Sequence, residues 1–90
     1  MQRVMVYSND DCPYCRYATR LLDGRGIAYE EIELATDDAG RARLAALTGR
    51  LSFPQIVVDG APIGGFAELA QLIRDGRLSP APDRDVGRAA

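Results

Sequence analysis

Val4-Met5-Val6-Tyr7-Ser8-Asn9-Asp10-Asp11-Cys12-Pro13-Tyr14-Cys15 changes character twice, and those changes decide the fold. Val4 to Tyr7 is a short β-rich run, whereas Ser8 to Asp11 is a cluster that favours turns and helix caps over strand continuation. Pro13 fits the first turn of a helix, where its missing N–H costs nothing. Beyond it, Tyr17, Ala18, Leu21 and Leu22 recur at helical spacing until Gly24-Arg25-Gly26 ends the pattern. A first strand therefore feeds into a first helix, and that helix opens at the two cysteines.

The rest of the chain extends this unit. Ile27 to Leu34 is rich in Ile and Tyr and bounded by Gly26 and Thr36, which predicts a second strand. Thr36-Asp37-Asp38 offers caps for a second helix carried by Ala39, Ala42, Leu44, Ala45 and Leu47 and stopped by Gly49. Gln55 to Val58 and Ala61-Pro62-Ile63-Gly64 read as two strands joined by the tight turn Asp59-Gly60, with Pro62 suited to an edge strand. Leu69, Leu72 and Ile73 then mark a third helix from Phe66 to Asp75, before Gly76. The order β-α-β-α-β-β-α predicts an α/β fold, a four-stranded mixed sheet flanked by three helices on both its faces. In such sheets ligands gather beyond the carboxyl ends of the strands, where the Asn9-to-Cys15 loop lies. Residues 1–78 make up the single domain. Residues 79–90 have no apolar period and read as a disordered tail.

Composition narrows the chemistry. Ninety residues, 47% hydrophobic and 27% charged, suit one compact soluble domain and are too apolar for a disordered chain. Eleven basic against thirteen acidic residues leave a net charge of -2, which offers no field for nucleic acid. All the basic residues are arginine, a bias of composition that matters only where a site calls for lysine. Histidine is absent, so no imidazole serves as general base, proton shuttle or metal ligand. No apolar run approaches the ~20 residues of a membrane span, and the N-terminus lacks the regions of a secretory signal. The expectation is a cytoplasmic monomer that engages no membrane.

Cys12 and Cys15 stand three residues apart at a helix start, near enough to close a small disulfide, with Cys12 facing the free N–H groups. The helix dipole contributes about 0.3–1 kcal/mol when exposed and up to ~2 when partly buried, which lowers a thiol pKa by about one unit. Hydrogen bonds to the sulfur must supply any further shift. Cys12 is thus the attacking thiol, and Cys15, one turn deeper, the resolving one. The bare motif also serves as half of a zinc site, or as two core cysteines. A structural zinc needs four ligands, however, and with no further cysteine and no histidine the missing two would have to be carboxylates, an unusual set. The strand before and the helix after favour a redox pair, and no metal site is expected.

Three motifs in order resemble the dithiol glutaredoxin family of the thioredoxin-like fold, over Val4 to Leu78. Cys12-Pro13-Tyr14-Cys15 resembles its active-site tetrapeptide, with Cys12 and Cys15 catalytic and Tyr14 beside the bound glutathione. Ser52-Phe53-Pro54-Gln55-Ile56 resembles its Thr-Val-Pro-Gln-Ile segment, which implies a cis Pro54 and a Phe53 backbone that pairs with the cysteine of glutathione. Read by itself, Pro54 is an ordinary loop proline, since only about one X-Pro bond in twenty is cis. Ile63 to Leu69 resembles the Gly-Gly turn and helix start that bind the γ-glutamyl end. Gly65 and the free N–H groups of Ala67 and Glu68 would form that anion site, and the Glu68 carboxylate would pair with the ammonium. On residue type alone, Gly64-Gly65 simply ends a strand.

The chain departs from the pattern at Asn9, where the family usually has lysine for the glycine carboxylate. Arg41 aligns with another carboxylate-binding position, although in Gly40-Arg41-Ala42-Arg43 it also reads as part of a solvated helix face. Glu68 is one methylene longer than the usual aspartate, and Ala67 replaces a polar residue. The resemblance implies a glutathione-dependent oxidoreductase acting on protein disulfides and glutathionylated proteins, with glutathione as co-substrate and no tightly bound cofactor. Two alternatives stay open: a carrier of an iron–sulfur cluster held by Cys12 and glutathione, which Pro13 disfavours, and a redoxin reduced by thioredoxin reductase or another small thiol.

Overall fold

The computed structural model describes residues 2–80, in which the chain forms β1 (Val4–Ser8), α1 (Pro13–Gly24), β2 (Glu30–Glu33), α2 (Asp38–Thr48), β3 (Gln55–Val58), β4 (Ala61–Gly64) and α3 (Phe66–Arg74). The sheet order is β2-β1-β3-β4. The crossover through α1 makes β1 and β2 parallel, Met5 lying opposite Glu30 and Ser8 opposite Glu33. β3 runs antiparallel to β1 and to β4. The β3–β4 turn has both Asp59 and Gly60 at positive φ, as a tight Asp-Gly hairpin requires. Pro62 sits on the edge strand, where a missing donor is tolerated.

Period-2 alternation along β1 sorts its side chains between two cores. Val4 and Val6 face Ala18 and Leu22 of α1 and Leu69 of α3, with Ile56, Ile27 and Leu78 completing that layer. Tyr7 faces the other side, where Leu44 of α2 and Val57 close a smaller cluster. Helices α1 and α3 thus share one face of the sheet and α2 covers the other. No described helix is long and apolar enough to cross a membrane.

Two expectations need correction. The second strand is shorter than Ile27–Leu34: the Ile27 N–H bonds Leu22 O at 3.0 Å and ends α1, so Ile27 enters the core from a loop, and pairing with β1 begins only at Glu30. The buried face of α2 is also different, because Ala39, Ala42 and Leu47 are exposed while Gly40 and Leu44 are buried. A Cβ at Gly40 would lie 1.8 Å from Ala35 O, so the absence of a side chain is what lets α2 sit against its own leading loop. The expected tail falls largely on residues 81–90, outside the described residues; Leu78 before it is buried, and the Ser79 N–H reaches Gln2 Oε1 at 3.4 Å.

Candidate active site

The turn that presents the cysteines is built locally. Asn9 Oδ1 accepts the Asp11 N–H at 3.0 Å, reversing the chain after β1. Cys12 is the N-cap of α1 in extended conformation, with Pro13 directly after it, and its sulfur accepts the Cys15 N–H at 3.1 Å. The two cysteines are joined in a disulfide, with Cα atoms 5.3 Å apart. Cys12 is 9% exposed and Cys15 only 2%, so the N-terminal cysteine is the more accessible residue and also the one whose sulfur is bonded to a helix N–H.

Cys12 opens on a cleft with two lobes. The first, of about 560 Å³, has the polar side chains of Asn9, Thr36 and Arg41 among its lining residues, together with Cys12. The second, of about 370 Å³, lies between Pro54 and the start of α3, with Gly65, Ala67 and Glu68 along one side. Tyr14, Ser52 and Phe53 line both lobes and form the ridge between them. The Phe53–Pro54 peptide is cis. Tyr14 is 59% exposed and packs edge-on against Tyr17 at 5.5 Å between ring centroids, with Phe66 at 6.2 Å from both, which gives the mouth an aromatic rim.

Every residue singled out from the sequence lies at this cleft except Cys15, which is buried behind Cys12. Tyr14, Arg41 and Phe53 line the first lobe; Tyr14, Phe53, Pro54, Gly65, Ala67 and Glu68 line the second. The start of α3 differs from expectation in one respect. Glu68 Oε1 accepts the Gly65 N–H at 2.7 Å, so the carboxylate turns back on its own helix. That bond, followed by the Glu68 backbone N–H, holds the Glu68 carboxyl below its ordinary value; burial opposes the shift, and the positive charge of Arg50 adds a smaller contribution in the same direction as the two N–H groups. The Glu68 N–H is therefore already faced by a carboxylate. Gly64, at φ 118°, places the chain where only glycine fits comfortably, with the Glu68 side chain across it.

Thr36, Arg50, Leu51 and the side chain of Gln55 also line the cleft, although the sequence did not mark them as site residues. Gln55 is 2% exposed; its Nε2 donates to Ser52 O at 2.9 Å and to Ser52 Oγ at 3.2 Å, pinning the ridge from below. Its Oε1 is buried with no hydrogen-bond partner among the described residues. The signal for Gln55 was a polar residue opening an otherwise apolar strand. For Arg50 it was a cation directly after a helix-stopping glycine and just before the proline motif.

Comparison with known proteins agrees with this architecture. The glutaredoxin family model matches residues 4–63. Glutaredoxin 3 of Escherichia coli K12 is 35% identical over 80 residues, covering 89% of this chain and 96% of that protein. Glutaredoxin 1 of Rickettsia bellii is 40% identical over 82 residues, covering 87% and 84%. Among solved structures, a buckwheat glutaredoxin–glutathione complex superposes with a TM-score of 0.73 at 32% identity, covering 86% of this chain and 73% of that one.

Proposed function

The chain belongs to the glutaredoxin family of thiol-disulfide oxidoreductases, and from that premise we propose that it reduces glutathionylated proteins and protein disulfides with glutathione as electron donor. The observation that carries this reading is the Cys12–Cys15 pair at a helix start, opening on a cleft whose two lobes extend to either side of Tyr14 and Phe53. A tripeptide with a central cysteine matches such a shape. The buckwheat relative in complex with glutathione supports the same ligand.

The helix start favours the Cys12 thiolate, which attacks the glutathione sulfur of a glutathionylated protein. A Cys12–glutathione disulfide forms as the protein–glutathione disulfide breaks, and the protein thiolate leaves and takes up a proton. A second glutathione thiolate then attacks the bound glutathione sulfur, releasing oxidised glutathione and regenerating the Cys12 thiolate. With a protein disulfide, Cys12 first forms a mixed disulfide with the protein. Cys15 then attacks the Cys12 sulfur, the reduced protein departs, and the Cys12–Cys15 disulfide remains to be reduced by two glutathione molecules. Arg41 supplies positive charge for the glycine carboxylate, and the Phe53 backbone pairs with the ligand's cysteine. These steps require a reducing thiol pool, which supports a cytoplasmic location.

The deciding experiment measures turnover with glutathione plus glutathione reductase against turnover with thioredoxin reductase alone. Faster reduction by glutathione is expected. Turnover supported only by thioredoxin reductase would overturn the assignment of the donor.

A further inference from the structure

The second lobe contains a charge that the roles above leave unused. Arg50 follows Gly49, whose left-handed backbone (φ 78°) ends α2. The Thr48 hydroxyl donates to Leu44 O at 2.8 Å and accepts the Arg50 N–H at 3.2 Å, so the root of Arg50 is tied to the last turn of the helix. From there Arg50 lines the same lobe as Gly65, Ala67 and Glu68. Among the described residues the only ion pair joins Arg3 and Glu30, so the Arg50 guanidinium has no ion-pair partner there.

The start of α3 offers a ligand carboxylate less than its position suggests. Glu68 already accepts the Gly65 N–H, and its negative charge sits beside the remaining N–H groups. A carboxylate entering this lobe therefore needs a further cation, and Arg50 is the one lining it. Charge complementarity extends over both lobes. Glutathione has a carboxylate at each end and one ammonium. The cleft presents Arg41 in one lobe and, in the other, Arg50 with Glu68.

We propose that Arg50 is a specificity-determining residue that binds the α-carboxylate of the γ-glutamyl group, opposite in the cleft to Arg41 at the glycine end. This rests on the glutathione-dependent reading above. Arg50 acts on ligand binding and takes no part in the transfer of electrons or protons.

The test uses reduced full-length protein in single-turnover reactions with two substrates. One is the mixed disulfide of glutathione with a model peptide; the other is the corresponding mixed disulfide of N-acetyl-cysteinylglycine, in which a neutral acetyl amide replaces the γ-glutamyl amide. Wild type should react faster with the first. Arg50→Ala should lower its second-order rate constant for the glutathione substrate by about two- to fivefold at low salt, with no change for the N-acetyl-cysteinylglycine substrate. Arg50→Lys should recover part of the loss, and high salt should shrink it. Equal losses on both substrates, or no loss on either, would overturn the role of Arg50 while wild type still prefers glutathione. A wild type that treats the substrates alike would instead overturn the glutathione-dependent reading, and the assignment of Arg50 with it.

Discussion

At the scale of single residues, the two cysteines differ in position more than in chemistry. Cys12 caps the helix and accepts its N–H, whereas Cys15 is sealed one turn inside. Cys12→Ser should abolish thiol transfer to every substrate, while Cys15→Ser should keep deglutathionylation by glutathione and lose reduction of protein disulfides. Assays of both variants on a glutathionylated protein check this, and equal losses would overturn the assignment of roles. Glu68 makes a prediction of a different kind. Its carboxyl is held below the ordinary 4.5 chiefly by the Gly65 N–H, so the contact stabilises the fold above that value and is lost as pH falls through the depressed one. Glu68→Gln removes the titration. Melting temperatures measured between about pH 6 and pH 3 should therefore fall less steeply in the variant than in wild type.

At the scale of elements, α2 shows local preference and tertiary packing pulling in opposite directions. Propensity alone favours Ala over Gly inside a helix by about 0.8–1 kcal/mol. At Gly40, however, a Cβ would lie 1.8 Å from Ala35 O and 2.6 Å from Ala35 C, both backbone atoms with no rotamer to yield. Forced repacking of this kind costs about 1–3 kcal/mol, enough to outweigh the propensity gain. Gly40→Ala should consequently lower the melting temperature by several degrees, about 4–8 °C per kcal/mol for a domain this size. Thermal denaturation followed by circular dichroism measures it, and a raised melting temperature would mean that the Ala35 loop moves aside freely. Because Arg41 adjoins this close approach, the same variant should weaken glutathione binding.

At the scale of the whole molecule, the cleft is an assembly of four separate junctions: β1 to α1, β2 to α2, α2 to β3, and β4 to α3. Its cationic residues stand out against a chain of net charge -2, which makes binding of an anionic ligand sensitive to ionic strength. Asn9 and Arg41 reach the first lobe from different junctions, one before α1 and one in the first turn of α2. Asn9→Lys should add a second cation for the glycine carboxylate, worth about 0.2–1 kcal/mol, or a factor of about two to five in apparent affinity. Arg41→Ala should cost more than a typical surface change. Michaelis constants for a glutathione mixed disulfide at low and high salt read both effects. If neither substitution shifts that constant at low salt, the glycine end lies elsewhere.

The order of elements was legible along the chain, because each boundary is written in residues with strong local preferences: Asn9 and Asp37 at turns and caps, Pro13 in a first helical turn, Asp59-Gly60 in the hairpin. The redox pair was legible for the same reason, since a helix start and a three-residue spacing are local facts. The extent of β2 was not, because a strand exists only where a neighbour pairs with it, and the Ile27 N–H was claimed by Leu22 O. Nor was the buried face of α2, which a close backbone approach at Gly40 decided against the pattern of its alanines. The second lobe belongs to the tertiary structure most of all. Arg50, Gln55 and Glu68 come from three elements or loops, and only packing brings a cation, a buried amide and a helix-bound carboxylate around one space. Local preferences act within a few residues, whereas the charges a ligand meets are set by chain segments that touch only after the core has formed.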